Sequence, residues 1–184
     1  MAQHICPWWI GYLLASPLRR LGQNPIKILA PYIKSGMIAL DVGCGMGFFS
    51  LDMARLAGDN GKVICVDVQE KMIASLMKRA TKAGLQNRIN NRLCSHNSLN
   101  LEDVENGVDF ALAFAIVHEV PDAKSFFQQI YSALKSNGLL LFSEPTGHVS
   151  EIKFQKTLDI AQGVGFKPSE TLDIKRSRST LLKK

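Results

Sequence analysis

Asp41-Val42-Gly43-Cys44-Gly45-Met46-Gly47 is the stretch around which the rest of the chain is organised. It follows a continuous apolar run, MIALDV (37–42), and precedes a segment with helical spacing, FFSLDMARLA (48–57). Glycines at 43, 45 and 47 remove Cβ atoms where the backbone must turn sharply and a ligand must come close. The helix that follows offers unpaired N–H groups at its start. A strand, a glycine turn and a helix make a nucleotide-binding turn in generic form. Its spacing disfavours pyrophosphate. A dinucleotide fingerprint needs glycine or alanine where Phe48 stands, and the Gly-Lys-Ser/Thr ending of a phosphate loop is absent. Asp41 adds an anion at the strand end, which repels phosphate and attracts an ammonium or sulfonium group.

Outward from this turn the pattern alternates. Asn60-Gly61 leads into KVICVD (62–67), whose last residue, Asp67, lies 20 positions after Gly47. A carboxylate there can accept both hydroxyls of a ribose. EKMIASLMKRATKA (70–83) puts Met72, Ile73, Leu76, Met77, Ala80 and Ala83 on one helical face, with Gly84 as terminator. A short strand near 89–94, a continuously apolar one at VDFALAF (108–114) and a helix over 122–134 follow. Asn137-Gly138 then turns the chain into LLLFSE (139–144). Residues 152–162 read as a helix broken by Gly163-Val164-Gly165, and the tail, roughly 166–184, as a hairpin about residues 175–177. Upstream, Ser16-Pro17 and Asn24-Pro25 each pair an N-cap with a proline at the first helical position, and Pro31 ends the second helix. Apolar strands joined by helices specify an α/β, doubly wound parallel sheet with ligands at its C-terminal edge. The expected organisation is a short N-terminal helical cap, 1–36, on a domain spanning 37–184.

The chain has 184 residues, 46% of them apolar and 21% charged, which excludes a disordered chain and a small disulfide scaffold. Its net charge of +6 is uneven. Residues 1–36 carry four basic groups and no acid, and residues 167–184 carry six basic groups and two acids. Between them stand 12 basic and 14 acidic groups. Basic ends are either a nucleic-acid footprint or solubilising charge. The four cysteines, Cys6, Cys44, Cys65 and Cys94, form no CxxC pair and read as free thiols of a cytoplasmic protein. The first apolar run is interrupted by Pro7 and Gly11, so it is neither a secretory signal nor a transmembrane segment; a stretch touching a membrane surface stays open.

LDVGCGMG (40–47), VICVD (63–67), VDFALAFAIVHEVPD (108–122) and LKSNGLLLFSEP (134–145), in that order, make residues 37–184 resemble the class I S-adenosylmethionine-dependent methyltransferases. The resemblance implies a Rossmann-like seven-stranded sheet of order 3-2-1-4-5-7-6 with strand 7 antiparallel. S-adenosyl-L-methionine is the implied cofactor. Asp41, Gly43, Cys44, Gly45 and Gly47 would hold its methionine part, Asp67 the ribose, and Val68 and Met72 the adenine. Ala113 and Phe114 would flank the transferred methyl. Many members have an acid after strand 3 that meets the adenine amino group; here the chain reads Cys94-Ser95-His96-Asn97, which leaves Ser95 or Asn97, according to the alignment, or a backbone amide for that contact, with His96 beside them among the cofactor-binding candidates.

His118 and Glu119 follow strand 4, and Glu144 and His148 follow strand 5; all four are candidates for a catalytic base or for the pocket rim. Trp8, Trp9 and Tyr12 are candidates for an aromatic cap over the acceptor. No metal is expected, although His4, Cys6, Cys94 and His96 together offer a soft donor set. The reading is a methyltransferase acting on a small-molecule acceptor. An RNA or protein methyltransferase is one alternative, with nucleic acid disfavoured because Ala113-Phe114-Ala115-Ile116 lacks the N/D-P-P-aromatic signature. A thiol or metalloid methyltransferase, or a cofactor-binding module without catalysis, is the other.

Overall fold

In a computed structural model of the chain, describing Trp9, Gly11 and residues 15–184, seven strands form one sheet. They are β1 (Ile38–Val42), β2 (Lys62–Asp67), β3 (Ile89–Leu93), β4 (Val108–Phe114), β5 (Leu134–Pro145), β6 (Lys167–Leu172) and β7 (Ser177–Lys183). Their order is β3-β2-β1-β4-β5-β7-β6, as expected. The first five run parallel, and β7 is antiparallel to both β5 and β6.

Among the described residues the helices that accompany the sheet are α1 (Pro25–Leu29), α2 (Ser50–Ala57), α3 (Glu70–Lys82), α4 (Ala123–Ala133) and α5 (Glu151–Val164). Side-chain caps fix the starts of α1, α4 and α5. Asn24 Oδ1 accepts from the N–H groups of Ile26 and Lys27, Asp122 from those of Lys124 and Ser125, and Ser150 Oγ from Lys153. A 3-10 turn at Pro17–Leu21 is capped by Ser16 in the same way. These bonds satisfy N–H groups that a helix cannot pair internally.

Each face of the sheet is sealed separately. Leu29, Ile33, Phe49, Met53, Leu76, Phe110 and Leu112 pack on one side, under α1, α2 and α3. Leu40, Val42, Phe127, Ile130, Phe142, Phe154 and Phe166 pack on the other, under α4 and α5. Strand segments covered on both faces are apolar at successive positions, which is why β4 reads FALAF over 110–114 without alternation.

Two elements depart from the sequence reading. β5 begins at Leu134, not after Asn137-Gly138. Asn137 adopts φ 66° inside the strand, and the pairing with β4 shifts register between Val108 and Phe110, so the Asn-Gly pair makes an irregularity and not a loop. α5 continues through Gly163 to Val164 and stops only at Gly165, whose φ of 125° no helix tolerates.

In register, Val42 stands beside Val66 of β2 and Ala113 of β4. The glycine turn, Asp67 and Phe114 therefore emerge together at one edge.

Candidate functional site

At that edge lies a cavity of about 1520 Å³. Its floor is the turn after β1, tied to β2 by N–H bonds from Gly43 and Cys44 to the Val66 carbonyl (2.9 and 3.1 Å). The Gly45 N–H donates to Asp67 Oδ2 (2.9 Å), and the Gln69 N–H to Asp67 Oδ1 (2.9 Å). Gly45 has φ 52°, and a Cβ built there meets nothing within 4 Å. This backbone faces space that a ligand can fill. Gly47, at φ 80°, does a different job: it does not line the cavity, and a Cβ there would collide with Leu76 of α3.

Asp41 is buried and accepts from Ser50 Oγ at 2.5 Å. Burial, with a smaller push from the Asp67 charge, raises its carboxyl to about 7, against the stabilising pull of Ser50 and Arg19. Asp67 is also pushed up by burial, opposed by the N–H groups of Gln69, Gly45 and Val68. Two desolvated carboxyls on one wall suit a cation.

Arg19 completes this wall, and no sequence pattern singled it out. Its guanidinium lies 4.4 Å from the Phe48 ring centroid and 5.5 and 5.6 Å from those of Phe49 and Phe114, and the residue lines the cavity. Burial lowers it to about 10, while the Asp41 charge holds it up. An anion and a cation thus stand on the same wall, the complement of a zwitterionic amino-acid end.

Val68, Met72, Cys94, Ser95 and His96 line the far end. Ser95 Oγ accepts from the N–H groups of Asn97 and Ser98, closing a tight turn. Ala113 does not reach the cavity: it is fully buried within the sheet, whereas Phe114 lines it. Trp9 is exposed and outside the lining, while Trp8 and Tyr12 lie outside the described residues, as do His4 and Cys6. Gly11 and Ala15 line the cavity instead. Among the described residues no three His, Cys, Asp or Glu side chains gather as a metal site requires.

The opposite rim follows β4. Ala115 takes φ 59°, held by its N–H bond to the Ser143 carbonyl (2.8 Å), and turns the chain so that His118 and Glu119 line the cavity. His118 Nδ1 is 2.6 Å from Glu144 Oε2, and the His118 N–H donates to Glu144 Oε1 (3.1 Å). Glu144 is only 1% exposed and stands behind the imidazole, out of the cavity. Against an ionised carboxylate Nδ1 carries the proton, which leaves Nε2 as acceptor. Nε2 lies 3.9 Å from Glu119 Oε1, and the His148 ring stands edge-on at 5.8 Å between centroids. The hydrogen bond to Glu144 raises the His118 pKa, with burial opposing and the charges of Glu144 and Glu119 adding to the rise.

The chain is similar to known proteins. A family described as "Methyltransferase domain" matches residues 33–167. A demethylmenaquinone methyltransferase of Lactobacillus johnsonii is 29% identical over 126 residues, 67% of this chain and 51% of that protein. A ubiquinone biosynthesis O-methyltransferase of Bradyrhizobium diazoefficiens is 29% identical over 139 residues, 76% of this chain and 51% of that protein. The chain spans about half the length of both relatives. The crystal structure of an S-adenosylmethionine-dependent methyltransferase from Aquifex aeolicus superposes with a TM-score of 0.87 over 97% of this chain and 99% of that one, at 22% identity. With a family match over most of its length and that fold, the chain belongs to the methyltransferase-domain family.

Proposed function

We propose that the chain transfers a methyl group from S-adenosylmethionine to a hydroxyl of a small aromatic acceptor of the quinol class. The observation that carries this reading is the His118 imidazole, backed by Glu144 at 2.6 Å and lining the cavity that also holds Asp41 and Asp67. The relatives named for menaquinone and ubiquinone methylation support the acceptor class.

S-adenosylmethionine supplies a methyl on a sulfonium, a leaving group already activated. Its three recognisable parts match the residues present: Asp41 for the ammonium, Arg19 for the carboxylate, Asp67 for the ribose hydroxyls. Gly45 leaves the space that a bound chain would fill. Alignment and exclusion of water then account for much of the rate.

A hydroxyl is a weak nucleophile until its proton is removed, so the chain must also provide a base. His118 Nε2 takes the hydroxyl proton, the oxygen forms its bond to the methyl carbon, and the carbon–sulfur pair leaves with sulfur. Glu144 holds the ring in the required tautomer and stabilises the imidazolium that results. His118→Ala is expected to lower kcat by about 10²–10⁴-fold in transfer of labelled methyl to a short-chain, water-soluble quinol, with S-adenosylmethionine affinity unchanged. Undiminished turnover would remove His118 from the chemistry.

A further inference from the structure

The two basic ends of the sequence meet at the mouth of the cavity. Gln23 Nε2 donates to the Lys175 carbonyl (3.2 Å) and to Ser177 Oγ (3.0 Å), joining the N-terminal segment to the β6–β7 turn. Arg20 pairs with Asp52 of α2, a carboxylate that also takes Arg55 at 2.6 Å. The 3-10 turn Pro17–Leu21 is thereby clamped across the opening, with Arg19 directed inward and Gln23 and Arg176 beside it in the lining.

Its outer face carries the two most exposed large hydrophobic side chains among the described residues. In a 3-10 turn residues three apart eclipse, so Leu18 and Leu21 share one side. They are 73% and 87% exposed, and Trp9 is 61% exposed. No other described hydrophobic side chain is more exposed than Leu21. Lys175 and Arg176 are exposed next to this segment, and neither has an acidic partner within ion-pair distance among the described residues. Asp173 is the single acid of that turn.

We propose that this rim docks on the surface of a lipid bilayer containing anionic phospholipid. Leu18 and Leu21 enter the headgroup boundary, and Lys175 and Arg176 meet the phosphates, which is the combination of apolar area and positive charge that interfacial binding requires. Charge complementarity selects this occupant over an apolar protein partner, which leaves two unpaired cations without a counter-charge. The segment that docks also lines the cavity, so an acceptor dissolved in the bilayer reaches His118 without crossing water. That last step rests on the quinol reading; the docking surface itself does not.

Co-sedimentation of the full chain with vesicles tests the proposal. Retention is expected on vesicles of phosphatidylcholine with phosphatidylglycerol at low salt, and much less on phosphatidylcholine alone or at high salt. Leu18→Ser/Leu21→Ser and, separately, Lys175→Glu are each expected to weaken that retention about ten-fold. The leucine double variant should keep its turnover on a water-soluble quinol, which shows that it is folded and separates docking from catalysis. Equal retention on neutral and anionic vesicles, no retention on anionic vesicles at low salt, or unchanged retention of both variants would overturn the proposal. So would retention on single-stranded RNA with none on vesicles.

Discussion

His118 and Glu144 divide one task between an imidazole in the cavity and a carboxylate behind it. The sequence placed both at strand ends but did not rank them, because burial and partner are tertiary facts. A histidine held protonated by Glu144 has its pKa above the usual value. As a base it must be neutral, so kcat/KM should rise with pH through that raised value. The pair's contribution to stability has the opposite sense: it is complete below the unfolded-state pKa and is lost as pH rises through the folded-state one. Glu144→Gln removes the largest cause of the rise, and the acid limb of the rate profile should move to lower pH. A profile that stays in place would leave Glu144 with a structural role only. Arg19 was illegible for the same kind of reason. Ser16-Pro17 announces the turn that carries it, yet nothing local says that its guanidinium lies against Phe48, 32 residues from Ser16 in the chain.

At the scale of elements, local signals were strong wherever a side chain acts on its own backbone. The caps at Ser16 and Asn24 and the glycine turn after β1 are of this kind. The start of β5 was not, because a bulge at Asn137 depends on pairing with β4. The turn's glycines also looked equivalent and are not. Gly45→Ala places a methyl in open space and pays only for left-handed backbone, about 1–2 kcal/mol. Gly47→Ala must in addition displace Leu76, which should cost about 1–3 kcal/mol more. Urea unfolding of the two variants checks this, and equal losses would contradict it. The ligand contact divides them the other way: Gly45→Ala should weaken cofactor binding directly, since its methyl occupies the cavity floor.

For the whole molecule, the strand order was legible only through the resemblance, since periodicity gives elements and not their neighbours. Charge followed a similar path. The slightly acidic middle of the chain contains Asp41 and Asp67, and the basic ends, remote in sequence, adjoin at Gln23 and Lys175. The central claim is that the edge formed by β1, β2 and β4 is an S-adenosylmethionine site, with Asp67 its ribose anchor. Calorimetric titration of the wild-type chain and of Asp67→Ala with S-adenosylmethionine tests it most directly. One site per chain is expected, weakened about 10–100-fold by the loss of a charged hydrogen-bond acceptor while the variant stays folded. No binding by the wild type, or equal affinity in a folded Asp67→Ala, would contradict it.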